Sequence, residues 1–216
     1  MKSGRLDCCV HLKAHRIRYA AAKRLVDIIG AVILLTLLAP FFVIIAIAVA
    51  ATSPGPIFYK STRIGLCGQR FAFIKFRSMR VDADKVLEDL KAKNEKDGPI
   101  FKIKNDPRIT SVGRFLRKFS LDELPQFISV LTGEMSLVGP RPPIPAEVEQ
   151  YDAQTLERLT IKPGITCYWQ IMGRSNLTFD EWMELDRRYI QEMSFWTDIS
   201  IMLKTPAAVL RGDGAY

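Results

Sequence analysis

Histidine is nearly missing from this 216-residue chain. Only His11 and His15 occur, one helical turn apart and with no third ligand candidate near them, which speaks against a metal site built from three or four protein ligands. Cysteine is almost as scarce. Cys8, Cys9, Cys67 and Cys167 form neither a C-x-x-C pair nor any metal-ligand spacing, and a reduced cytoplasmic setting fits them. The glycine-rich loops that cradle nucleotide phosphates, G-x-x-x-x-G-K-[ST] and G-x-G-x-x-G, are absent, as are internal repeats and low-complexity tracts. Any phosphate bound here must be held by arginine, lysine, helix ends or a metal ion.

Charge is missing from one long stretch. Ile28 to Ala51 is 24 residues without an ionisable side chain, enough as a helix to cross roughly 30 Å of hydrocarbon and too long for a signal-peptide core. Acid is then missing from its flank: Lys60, Arg63, Arg70, Lys75, Arg77 and Arg80 follow before Asp82 appears. Ahead of the run, seven basic residues face only Asp7 and Asp27. The positive-inside bias puts both flanks in the cytoplasm, which one straight span cannot satisfy. Pro40 lies mid-run, where it removes a backbone hydrogen bond. Two readings follow, a re-entrant helix broken at Pro40 that returns to the same face, or a kinked spanning helix. The net charge of +8 is mostly juxtamembrane, where anionic inner-membrane lipid accounts for it. With no recognition module in the chain, a nucleic-acid partner is not expected. The length suits one domain with an appended segment. The expected division is a basic juxtamembrane helix over 1–27, the membrane segment over 28–51 and a cytosolic domain over 52–216.

In the cytosolic part, FAFIKFRSM alternates with period two, so a strand carries Lys75 and Arg77 on one face, either toward a site or as a solvated edge. Residues 82–96 read as a charged helix, Ile100 to Thr110 as a short strand and turn, and 146–160 as a further helix. FSLDELPQ (119–126) contains the S-x-x-E capping box Ser120 to Glu123, opening a helix to about Leu131 that Gly133 stops. Taken locally, Asp122 and Glu123 are then helix-start residues that complement the dipole. SLVGPRPPIP locks Arg141 between two prolines, as a stiff loop or as a fixed phosphate ligand. Thr178 to Glu181 is a second capping box, opening a helix with Trp182, Leu185 and Tyr189 on one face. A last helix over about 198–210, with Trp196 at its start, either packs on the core or lies among headgroups.

In order along the chain, KRLVDI, RIG, KFRSM, RKFSLDELPQ, GEMSLVGPRP, KPGIT, GR and ELD resemble the monotopic phosphoglycosyl transferases, a bacterial sugar transferase family that starts glycan assembly on a polyprenol carrier. The resemblance implies an α+β, mainly helical fold, with a re-entrant helix hairpin and a small cytosolic catalytic domain bearing interfacial amphipathic helices. It implies that Asp122 attacks the β-phosphate of a UDP-hexose and releases UMP. A covalent aspartyl phospho-sugar results, which undecaprenyl phosphate then attacks. It gives Glu123 the task of holding Mg²⁺. Arg63, Lys75, Arg117 and Arg141 lie within its motifs as phosphate-binding candidates, and Asp198 matches a required position of unassigned role.

The chemistry agrees: a nucleophilic carboxylate must be ionised, and phosphoryl transfer asks mainly for positioning and charge compensation. One departure is Ala39, where some small members carry serine before the proline. The KNEKDGPIFKIKNDPRIT insertion and the RGDGAY ending resemble the hexose-1-phosphate branch, with galactose and glucose ranked equal. The chain is expected to be a compact catalytic unit at the cytoplasmic face of the inner membrane, and a homo-oligomer is compatible with it. The rival reading is a catalytically silent membrane scaffold, which has no need of Asp122, Glu123 and Arg141 together.

Overall fold

The uncharged run forms most of one 39-residue helix, α1 (Ala14–Thr52). The computed structural model describes residues 14–212 except 91 and 93, together with residue 214. Cys8, Cys9, His11 and three residues of the RGDGAY ending lie outside the described residues. The described residues are mainly helical, with two small two-stranded sheets among them. The first joins β1 (Phe58–Ile64) to β2 (Arg70–Phe76) in antiparallel register, with Tyr59 opposite Lys75 and Arg63 opposite Phe71. The second joins β3 (Ser136–Val138) to β4 (Gly164–Thr166) in parallel. Helices follow in the order α2 (Leu87–Leu90), α3 (Ser111–Lys118), α4 (Gln126–Thr132), α5 (Pro145–Val148), α6 (Ala153–Leu156), α7 (Tyr168–Ile171), α8 (Phe179–Glu192) and α9 (Phe195–Arg211).

Both flanks of the apolar run are fastened to this one body. On the first flank, Arg24 donates to the carbonyls of Val130 (2.6 Å) and Leu131 (2.7 Å), closing the end of α4. Asp27, buried, accepts from the Leu137 amide (2.8 Å) and the Ser136 hydroxyl (3.0 Å) at β3. On the second flank, Arg77 donates to the carbonyls of Ser53 and Pro54, both at 2.6 Å. Ile45 and Val49 pack there on Phe76 and Leu116. Ala31 joins the main core with Phe71, Phe73, Phe127, Val130 and Tyr189, whereas Leu37, Val43, Ile44 and Ile47 are exposed. Helical backbone runs on through Pro40, so the break expected there is not an interruption of the helix. A proline inside a helix removes one donor and crowds the preceding turn, which can bend the helix without ending it.

Other local readings change under tertiary context. Strand β2 has the expected alternation but ends at Phe76, so Arg77 leaves the cationic face and caps the end of α1. The helix expected over 82–96 contracts to Leu87–Leu90, and the segment 100–110 contributes a single bridge, Met79 to Ile109, in place of a strand. The helix expected over 146–160 divides into α5 and α6, the second restarted by Asp152, whose carboxylate accepts from the Thr155 amide at 2.7 Å. The Thr178–Glu181 box forms as read, and Gly133 ends α4 with φ +91°. Gly113 lets α3 approach the body: a Cβ there would lie 1.9 Å from the Ser78 carbonyl oxygen.

Candidate active site

The chain between α3 and α4 is where the structure departs most from the local reading. Ser120 adopts a left-handed backbone, φ 53°, and makes no capping bond. Leu121–Glu123 is a short 3-10 turn, and α4 begins only after Pro125. The Ser120 hydroxyl instead accepts from Nη2 of Arg174. Freed from the capping box, Asp122 turns inward and is 5% exposed.

It faces a cleft that is open to solvent at its mouth. Asp122, Glu123, Lys75, Arg117 and Arg141 all line it, so five of the seven residues singled out by sequence come together. Lys75 reaches it because β2 alternates: Phe71 and Phe73 enter the core on the face that Lys75 extends beyond it. Arg117, in the last turn of α3, is steadied by donating from Nε to the buried Ser78 hydroxyl at 2.9 Å. Arg141 stands 4.0 Å from Glu147. Lys102, Arg108 and Arg174 complete the cationic wall, with Arg108 paired to Asp106 at 2.7 Å.

These charges act on one another through low-dielectric surroundings. Burial raises the Asp122 carboxyl above its ordinary value; Lys75 pulls it down, Glu123 pushes it up and Arg117 again pulls it down. Lys75 is lowered to about 8, first by burial and then by Arg117, with Asp122 and Glu123 opposing. Lys102 is lowered to about 7, by burial and then by Arg141, Arg117 and Arg174. Arginine stays protonated under any such shift. The cleft is therefore a crowded cationic pocket around buried Asp122 and half-buried Glu123, which suits a polyanionic ligand.

Sequence comparison places the chain. The description of bacterial sugar transferases matches residues 18–212. This chain belongs to the bacterial sugar transferase family. It is 48% identical over 205 residues to the galactosyl transferase CpsE of Streptococcus agalactiae, covering 94% of this chain and 45% of the relative. It is 45% identical over 193 residues to the UDP-glucose:undecaprenyl-phosphate glucose-1-phosphate transferase of Escherichia coli, covering 85% and 39%. It is 43% identical over 201 residues to the undecaprenyl-phosphate galactose phosphotransferase of Salmonella typhimurium, covering 90% and 41%. The chain thus spans less than half the length of these relatives.

Two candidate residues of this sugar transferase lie outside the cleft lining. Arg63 is buried behind it, its guanidinium 4.9 Å from the Phe73 ring centre and donating to the Pro142 carbonyl at 3.2 Å, so it supports the strand and the proline segment. Asp198 is elsewhere altogether. It accepts from Tyr19 (2.8 Å), Lys23 (2.7 Å) and Tyr189 (2.7 Å), tying α1 to α8 and α9. Its place is that of an anchor for the apolar helix.

Sequence reasoning left out Lys102, Arg108 and Arg174. The first two come from the insertion read as strand and turn, where nothing in the pattern aims a side chain. Arg174 had a signal, the Gly-Arg pair among the family motifs. Asp186, of the ELD motif, is buried against Arg158 at 2.8 Å, and Arg158 donates to the Arg141 carbonyl at 3.0 Å. That motif acts through Arg158 on the backbone of a cleft arginine.

Proposed function

We propose that this protein transfers hexose 1-phosphate from UDP-galactose or UDP-glucose to undecaprenyl phosphate, releasing UMP, by a two-step exchange through Asp122. The observation that carries the reading is a buried Asp122 facing a cleft walled by Lys75, Arg117, Arg141 and Arg174, in a chain of the sugar transferase family. An Asp122 oxygen attacks the β-phosphorus, and the bond to the oxygen bridging the two phosphates breaks as UMP leaves. An oxygen of undecaprenyl phosphate then attacks the same phosphorus. The aspartyl–phosphorus bond breaks, the carboxylate is restored and the lipid diphosphate sugar departs. The cations lower the cost of bringing a diphosphate beside two carboxylates, and they compensate charge on the transferred group.

Glu123 lines the same cleft and offers a hard oxygen ligand, and Mg²⁺ is commonly held by one or two carboxylates plus substrate phosphates. Among the described residues no cluster of three or more His, Cys, Asp or Glu forms a cage of its own. The donor set fits Mg²⁺ shared with substrate, whose contribution would be to neutralise diphosphate charge.

The helix Tyr19–Thr52 is long and apolar enough to cross a membrane. A re-entrant path bent near Pro40 is favoured, because a straight crossing would separate Arg24 and Asp27 from Ser53 and Pro54 by a bilayer, yet one body grips both. That body would then sit on the cytoplasmic face of the inner membrane.

The test is UMP release from UDP-glucose or UDP-galactose with no polyprenol phosphate present. We expect an amount stoichiometric with enzyme, and a phospho-hexose adduct on the peptide containing Asp122. UMP that appears only when both substrates are supplied, with no adduct trapped, would replace the two-step reading with a direct displacement.

A further inference from the structure

Two residues of the cleft carry buried neutral donors with no acceptor among the described residues: Gln126 through Nε2 and Trp169 through Nε1. Gln126 is 2% exposed and Trp169 8%. An amide or indole N–H left unpaired away from water costs free energy, so each is a place where a ligand oxygen would be bound with gain. The second tryptophan of the cleft differs. Trp182 donates from Nε1 to the Arg174 carbonyl at 2.9 Å, so the protein itself satisfies it.

Trp169 is also held in place. Its indole stacks on that of Trp182, with ring centres 4.4 Å apart and planes 21° from parallel, and Ile100, Cys167 and Met183 complete the cluster. Packing accounts for the ring and leaves the N–H unexplained. Gln126 opens α4, and Leu124 and Pro125 before it already have helical backbone, so Gln126 follows Asp122 by about one turn.

Charge sorts the cleft residues by the part of a sugar nucleotide that each suits. The diphosphate is anionic and is matched by the cationic wall. Neutral donors suit neutral oxygens, those of sugar hydroxyls or of the uracil ring. Position favours the first. In a UDP-hexose the hexose is attached to the phosphorus that Asp122 would attack, whereas the uracil lies beyond the other phosphate and the ribose. A donor one turn from the nucleophile is therefore placed for the hexose.

We propose that Gln126 and Trp169 form the hexose subsite, each donating from its side-chain Nε to a hydroxyl oxygen of the transferred sugar. The inference rests on the transferase reading above and adds the residues that recognise the sugar.

The test uses the full chain in detergent with Mg²⁺ and measures binding of UDP-glucose, UDP-galactose and UDP by calorimetry. Asp122→Asn serves as the parent, since it cannot turn the donor over during a titration. Trp169→Phe keeps a ring against Trp182 and removes the N–H, and Gln126→Met keeps the chain length and removes the amide. Each should weaken whichever UDP-hexose the parent binds by about 3- to 10-fold, the scale of one neutral hydrogen bond, while UDP changes by less than about 2-fold. Either variant carries the measurement alone if the other does not fold. Analogues of that UDP-hexose lacking one hydroxyl each give a readout that packing would not move. One of them should bind the parent more weakly than the intact donor does, yet bind Trp169→Phe as well as the intact donor does. Unchanged UDP-hexose binding in the variants would overturn the proposal. So would equal losses for UDP and UDP-hexose, which would give these donors to the nucleotide or to the fold. UMP release by the wild-type protein is scored separately: a hexose-dependent loss without UMP release keeps the subsite and removes the transferase reading, and UMP release without a hexose-dependent loss does the reverse.

Discussion

Asp122 is a carboxylate under opposing influences. Burial and Glu123 favour its protonated form, while Lys75 and Arg117 favour the anion that can attack phosphorus. Replacing it by asparagine keeps the size and removes the nucleophile, so Asp122→Asn should fold with a melting temperature near that of the parent and lose about 10³-fold or more in UMP release. The neighbouring lysine sets the other limit on pH. Lys75, lowered to about 8, is charged below that pH and neutral above it. The profile of kcat/KM for UMP release should therefore fall on the alkaline side near pH 8. Lys75→Arg keeps the charge at all accessible pH, so this limb should move upward by more than a unit. The acid limb, set by Asp122, should lie above the ordinary carboxylate range. An alkaline limb unmoved in Lys75→Arg would assign it to another group.

At the scale of elements, the turn between α3 and α4 and the anchor of α1 divide the labour. The turn points Asp122 into the cleft; the anchor decides where the apolar helix leaves the body. Asp198 belongs to the second, with Lys23 as its ion-pair partner and two tyrosine hydroxyls as further donors. Removing one partner of a buried ion pair leaves the other charge uncompensated, at about 3–5 kcal/mol. Asp198→Ala should lower stability on that scale in a denaturant titration. The fraction that remains folded should still release UMP stoichiometrically, because Asp198 does not line the cleft. A folded Asp198→Ala protein with no UMP release would give Asp198 a role in the chemistry.

At the scale of the whole molecule, large apolar side chains are exposed on both α1 and α9. Leu37, Val43, Ile44 and Ile47 are exposed on α1, and on α9 Trp196, Leu203 and Leu210 are 76%, 75% and 72% exposed while Ile201 is fully buried. Helix α9 packs Ile201 on the core and turns Trp196, Leu203 and Leu210 outward, which meets the core-packing reading of its sequence. Two single-cysteine variants in a background without the native cysteines, Ser3→Cys and Lys60→Cys, test the topology. Both should resist a membrane-impermeant thiol reagent in intact cells and react after lysis. Labelling of Ser3→Cys alone in intact cells would make α1 a spanning helix.

The sequence by itself determined the apolar helix, the alternation of strand β2, the stop at Gly133, the capping box at Thr178 and, through the motifs that carry the family resemblance, five of the cleft residues. Those features depend on periodicity, on conformational preferences of single residues or on motifs carried by contiguous residues, all of which are local. Only the tertiary structure decided that Ser120 abandons its capping box, that Arg77 caps α1 in place of lining a site, that Asp198 anchors a helix, and that Lys102 and Arg174 reach the cleft. Each depends on a partner far away in the chain: Ser120 on Arg174, Arg77 on Ser53 and Pro54, Asp198 on Tyr19 and Lys23. A capping bond contributes on the order of 1 kcal/mol, and a buried guanidinium seeking an acceptor outweighs it. Such a contest is settled only when the fold brings both groups together.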